Sequence, residues 1–175
     1  MKVLVLKLNV LLFIILFSSI SLANEKIVYV DMNFLINSSK AGISINKKME
    51  NLVNKNNQEY EKIEKKLLKE EEDILKKKNV TDPQKFNKEV ANFREKIKKF
   101  RVERGDEIEK IKKKNIDAKN ELVKIITKIL AEYSAKNEIS LVLNKDGIIL
   151  GKKNIDISEK ILEILNKEVK NIKLN

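Results

Sequence analysis

"KIVYVD", Lys26–Asp31, and "ISLVLN", Ile139–Asn144, are the two stretches whose reading decides the fold. Each is a short run of β-branched, apolar and aromatic residues, the composition of a strand. A long tract of helical pattern separates them. One strand has no stability by itself. The helices between must therefore carry the chain out and return it to its starting point. Ile27, Val28, Tyr29 and Val30 then lie beside Ile139, Leu141, Val142 and Leu143.

The intervening residues fit that itinerary. In "MNFLINSSKAG", Met32, Leu35 and Ile36 predict one helical turn, which Asn37, Ser38, Ser39 and Gly42 break. A long helix is predicted from about Ser44, with Ser44 as its cap. Its apolar stripe runs through Ile45, Met49, Leu52, Tyr60, Ile63, Leu67 and Ile74, with polar interruptions at Asn56 and around Glu70. Spacings of three and four make this the narrow seam of a coiled coil. "KKKNVTDPQKF" ends it: lysines suit a helix C-terminus, Asn79 a stop, and Asp82 with Pro83 a cap and first position. The hairpin tip is thus expected at 79–83.

A return helix from Pro83 to Lys136 carries Phe86, Val90, Phe93, Ile97 and Phe100, then Arg104, Ile108, Ile111, Asn115, Ala118, Leu122, Ile125 and Ile129. The two consecutive spacings of four through Arg104 form a stutter, which locally unwinds a coiled coil. Gly105 lies beside it, so Arg104–Gly105 is expected to be a hinge. Near the helix end Val123, Ile126 and Leu130 widen the apolar face, which predicts entry into a real core.

After the strand at 139–143, "KDG" reads as a hairpin turn with Gly147 at positive φ. Ile148, Ile149 and Leu150 read as the answering strand, over about 148–151. A terminal helix over about 157–171 follows, capped by Asp156 or Ser158, with Ile161, Leu162, Leu165 and Val169 buried. The predicted fold class is α+β. A long antiparallel helical hairpin, 44–129, projects as a coiled-coil-like arm from a small β-body formed by 24–43 and 130–175.

Before all this, Lys2 and Lys7, an apolar "NVLLFIILFSSISL" and a closing "SLA" make the three-part pattern of a secretory signal peptide cut after Ala23. Removing residues 1–23 leaves 152 residues, and losing two lysines lowers the formal charge from +11 to +9. That is one exported domain with lysine and glutamate intermingled, as on solvated helix faces. Its positive surface favours acidic unfolded chains or anionic lipid. Export and scarce aromatics argue against nucleic acid. The chain has no cysteine, histidine or tryptophan, so thiol nucleophiles, Ser–His pairs and imidazole metal sites are excluded. Asp31 and Asp146 lie near the sheet, where turn and strand-end roles fit better than acid–base catalysis. No catalytic residue, metal site or cofactor is expected.

The strands are apolar on both faces and one terminal helix covers only one of them. Self-association through Ile27, Val28, Tyr29, Val30, Ile139, Leu141, Val142, Leu143, Ile148, Ile149 and Leu150 is the expected remedy. On the arm, Leu68, Leu75 and Val102 stand off the seam and are candidates for contact with a client chain.

The order signal peptide, "KIVYVDMNFLI", lysine- and glutamate-rich hairpin, then "EISLVLNKDGIILGKKNIDISEKILEILNK" resembles the Skp (OmpH-like) family of periplasmic chaperones for outer-membrane proteins. The resemblance covers essentially the whole mature chain and is most specific at the C-terminal strand, turn and strand followed by "IDIS" leading into the terminal helix. It implies a homotrimer joined through the β-body, with three arms around a cavity that holds an unfolded β-barrel protein without ATP. It implies no catalytic residues, and its lipopolysaccharide contacts are basic residues without a fixed motif. The competing reading is a periplasmic adaptor coiled coil that binds one folded partner.

Overall fold

The computed structural model describes residues 25–174, so the signal peptide expected over 1–23 lies outside the described residues. In chain order the elements are β1 (Lys26–Val30), α1 (Met32–Ser38), α2 (Lys40–Lys76), α3 (Pro83–Lys136), β2 (Ile139–Asn144) and α4 (Ser158–Glu168). Short 3-10 turns cover Lys145–Gly147 and Lys153–Ile155.

β1 and β2 form a two-stranded parallel sheet, with Ile27 opposite Leu141, Val28 opposite Val142 and Tyr29 opposite Leu143. A parallel pair demands a crossover connection, and the helical arm is that crossover. Alternation sorts the side chains. Val28, Val30 and Val142 pack into the core, while Ile27, Leu141 and Leu143 stand at least two-fifths exposed on the other face. α3 reaches β2 through Glu138, whose φ of 54° puts a non-glycine residue in the left-handed region just past the helix end.

The third strand expected at 148–151 does not form. Asn144 accepts from the Asp146 amide and Ile148 N–H donates to the Lys145 carbonyl, closing a 3-10 turn in place of a hairpin. Gly147 does not take a positive φ. The chain instead crosses to the far side of β1. There Ile157 N–H donates to the Tyr29 carbonyl at 3.0 Å, and the Tyr29 hydroxyl reaches the Lys152 carbonyl at 3.3 Å. Gly151 lies against the Tyr29 ring, where a Cβ would come within 2.7 Å of it. Ile149 and Leu150 are left bare, at 104% and 93% exposure.

The arm begins earlier than its pattern indicates. Ser39, fully buried, caps α2 by accepting from the Gly42 amide at 3.1 Å, so Ser44 is an interior residue and Gly42 is no breaker. Gly42 serves the close approach of α1: a Cβ there would sit 1.7 Å from the Ile36 carbonyl oxygen. At the tip, α2 ends at Lys76, and Asp82 caps α3 through the Gln84 and Lys85 amides with Pro83 at its start. The 54 residues of α3 give it a length of about 80 Å. The 37 of α2 give about 55 Å. The overhang of α3 enters the body, as its widened apolar face requires.

Leu35 of α1, Ala41, Ile45 and Met49 of α2, and Ala118, Leu122, Ile126 and Ile129 of α3 meet Ile161 and Leu165 of α4 in one core at the arm's root. α4 stops at Glu168 rather than near 171, and the residues beyond it run back along the first turns of α2. Lys40 N–H donates to Asn166 Oδ1 at 2.7 Å, Ser44 Oγ to Asn171 Oδ1 at 2.8 Å and Lys48 Nζ to the Ile172 carbonyl at 2.8 Å. Ser44 and Lys48 share one helix face, so the strap is stitched by side chains to one stripe of α2, while Asn166 of α4 receives the Lys40 amide at the helix start. Ile172 is buried in the core beneath it.

α3 is one unbroken helix through Arg104–Gly105. Arg104 pairs with Glu64 across the arm at 3.7 Å, and a Cβ on Gly105 would meet nothing within 4 Å. The same substitution should therefore have opposite signs at two sites. Gly105→Ala should stabilise by about 0.5–1 kcal/mol through helix propensity. Gly42→Ala should destabilise by about 2–3 kcal/mol, because it drives a methyl into backbone. Urea unfolding followed by circular dichroism measures both, and equal signs would refute the assignment of Gly42 to close packing.

Candidate functional site: the arm grooves and the outer face of the body

No helix among the described residues is long and apolar enough to cross a membrane, and they hold no cluster of potential metal ligands. The candidate surfaces are the arm and the body's outer face.

The arm seam is narrow. Ile74 is buried, while Leu52, Tyr60, Leu67, Phe86, Val90, Phe93, Ile97 and Phe100 are half-buried. Tyr60 and Phe100 meet across it with ring centroids 5.8 Å apart. The polar interruptions lie in it too: Asn56 is buried in the seam.

The two edges of the seam differ. On one, an open groove of about 640 Å³ is floored by Ile74, Val90, Phe93 and Ile97 and lipped by Leu75 and Val102. Arg94, Lys98 and Arg101 rim it against one carboxylate, Glu71. None of the three cations has a carboxylate within ion-pair distance among the described residues. The other edge presents Lys66, Lys69, Lys77 and Lys96 against Glu70, Asp73 and Glu89, with Ile74 its sole apolar residue. There Lys77 pairs with Glu89 at 3.3 Å and Lys96 with Glu70, both across the helices.

Of the three off-seam residues expected from the sequence, the structure brings Leu75 and Val102 into the first groove. Leu68 stands on the same face of α2, one helical repeat from Leu75, but outside the groove lining. All three are more than half exposed. The cations were not singled out from the sequence. Their spacing of four and three, at 94, 98 and 101, was the available signal for a shared face.

The expected association residues divide. Val28, Val30 and Val142 are spent on the chain's own core, Ile139 packs against it, and Tyr29 is covered by Gly151. Ile148 is half-buried, and Ile27, Leu141, Leu143, Ile149 and Leu150 remain open. β2 also has a free edge, since β1 is its only partner strand among the described residues.

Behind the sheet a polar cluster joins β1, the β2 turn and α4. Asp31 caps α1 by accepting from Phe34 N–H at 2.8 Å and pairs with Lys145 at 3.4 Å. Lys145 also approaches Asp156 at 3.7 Å. Ser158 Oγ accepts from Asp31 N–H at 2.8 Å and donates to Asp156 Oδ1 at 2.5 Å. Asp146 accepts from Asn33 Nδ2 at 3.1 Å. Asp31 thus caps a helix at the end of β1, and Asp146 ties the turn after β2 to α1. Burial pushes the Asp156 carboxyl up, but the Ser158 hydrogen bonds and the Lys145 charge outweigh it and leave it below its usual range. The Asp31 carboxylate, with lesser help from Asp156, raises Lys145.

A family model described as Outer membrane protein (OmpH-like) matches residues 26–165. A solved structure from Caulobacter crescentus, described as a candidate outer membrane chaperone (OmpH-like), superposes with a TM-score of 0.81. The match covers 87% of this chain and 90% of that one at 13% identity, a likeness of fold. No curated protein matches the chain at a significant level.

Because the folded Asp156 lies below its unfolded value, its contribution is present above that value and is lost as pH falls through the folded one. Asp156→Asn should cost about 1–2 kcal/mol at pH 7. The gap between parent and variant should close below about pH 4. Urea titrations at neutral and acid pH measure it. A gap unchanged in acid would show that the carboxylate charge is not its source.

Proposed function

We propose, for a chain that belongs to the OmpH-like family, that it is a periplasmic chaperone which holds unfolded outer-membrane β-barrel proteins and prevents their aggregation without ATP. The observation that carries this reading is an arm of about 55 Å, rooted in a packed body, whose apolar seam lies half-open along grooves. An unfolded β-barrel chain is amphipathic and aggregates in water. A holding surface for it needs many weak contacts and a wall that does not collapse on itself. Helices with one narrow seam and charged flanks meet both needs. The intermingled lysine excess also suits acidic segments and anionic headgroups.

The working unit on this reading is a homotrimer joined through the body. Ile27, Leu141, Leu143, Ile149 and Leu150 support it, because exposed apolar residues beside an unpaired strand edge are a liability for a lone chain. The segment 148–151 has strand composition but no strand partner, and the free edge of β2 on a neighbouring copy is the complement it lacks. Arms on three copies would then enclose a cavity for the client.

The mature chain should suppress the light scattering of a urea-unfolded porin diluted into buffer, equally with and without ATP, and should weigh three times one chain in sedimentation. Leu141→Asp with Leu143→Asp should release single chains and abolish protection. A parent that sediments as one chain refutes the trimer. Protection that is absent, or confined to one folded partner at fixed stoichiometry, refutes the holding function in favour of an adaptor.

A further inference from the structure

We infer that the arm has a binding edge and an inert edge, and that the groove bearing Leu75, Val102, Arg94, Lys98 and Arg101 receives extended segments in which apolar residues alternate with carboxylates. This rests on the holding function proposed above and specifies which surface performs it and which segments it selects.

The two edges of one seam carry different chemistry. The inert edge has nearly balanced charge, cross-helix ion pairs and one apolar side chain. A client lying there would have to displace lysine–carboxylate pairs while burying little apolar area. The other edge offers an apolar floor of four side chains with two exposed aliphatic lips. Its three cations have no carboxylate of their own to give up. Arginine and lysine stems lie along apolar surface while their charged heads stay in water. They can therefore flank an occupant without blocking the floor.

The spacing admits an extended occupant such as an unfolded client supplies. Four residues of helix separate Arg94 from Lys98 by about 6 Å, and three more bring Arg101 about 4.5 Å further. An extended chain places every second side chain about 6.7 Å apart on one side. With apolar side chains directed at the floor, the intervening carboxylates sit at the rim, within reach of long cationic side chains. Arginine meets a carboxylate through two parallel hydrogen bonds, the stronger kind of charge-assisted contact. A basic occupant would face three like charges.

The test compares two triple reversals in the full mature chain. One is Arg94→Glu, Lys98→Glu and Arg101→Glu. The other is Lys62→Glu, Lys66→Glu and Lys69→Glu, with the same spacing on α2 away from the groove. Probes are an unfolded porin and short fluorescent peptides in which valine alternates with glutamate, glutamine or lysine. The groove triple should weaken porin and valine–glutamate binding by about tenfold or more, and the other triple by less than about threefold. Leu75→Ser with Val102→Ser, both exposed and so harmless to folding, should weaken all three peptides. The parent should rank glutamate over glutamine over lysine, with the ranking compressed in high salt.

Equal losses from the two triples, with porin still captured by the parent, overturn the edge assignment and leave the holding function standing. A parent that captures no porin overturns both. A groove triple that loses only vesicles of anionic phospholipid, with porin capture intact, overturns the peptide occupant in favour of lipid.

Discussion

The pairing of β1 with β2 constrains everything else. Parallel strands cannot be joined by a tight turn, so their connection must leave the sheet at the end of β1 and cross over to re-enter it at the opposite end, where β2 starts. Two antiparallel helices of arbitrary length satisfy that requirement, because whatever distance α2 travels α3 recovers. The sheet therefore fixes the ends of the arm without limiting its reach. The polar cluster of Asp31, Lys145, Asp156 and Ser158 holds this junction from behind, where β1 ends, β2 turns and α4 starts. The strap holds it from the side, by binding the first turns of α2 to the end of α4.

Much of this is written in the chain, and the failures have physical causes. The seam is legible because its period is sustained over many turns: the residues read as seam are, with the exceptions of Ile63 and Ile108, buried or half-buried. The tip is legible because Asp82 and Pro83 are local signals that need no tertiary context. Gly42 misled because a glycine that breaks a helix and one that admits a neighbouring backbone look alike until Ile36 is in place. The C-terminal strap has no periodic pattern at all, and Ile172 declares itself only by what it is buried against.

The run "GIIL" failed in a more informative way. Its composition is that of a strand, yet its last two side chains, Ile149 and Leu150, stand in water. Tyr29 explains what happens next to it: the ring over Gly151 and the carbonyl bonded to Ile157 recruit the downstream segment to β1. That leaves Ile149 and Leu150 between two anchored points without a surface of their own. Strand propensity measures fit to a half-buried pleated surface, and a single copy of this chain supplies no such surface there. The candidate edges of the arm were legible only in part for a related reason. Leu75 and Val102 stand out as apolar residues off the seam, but Arg94, Lys98 and Arg101 resemble any other surface cations until the lack of carboxylate partners is seen.

The energetics of the arm suit reversible holding. Each exposed ion pair contributes between zero and about 1 kcal/mol, and a half-buried seam residue contributes less than a fully buried one at about 25 cal/mol per Å². No single contact on such a surface traps a bound chain. Rigidity comes instead from the root, where Leu35, Ile45, Leu122, Ile126, Ile161 and Leu165 are closed off from solvent. The chain thus separates two demands that conflict in a single core. The root is packed tightly enough to fix the arm's direction. The arm's flanks stay open, so that under the proposed holding function their apolar and charged groups would be available to a passing segment and would release it at little cost.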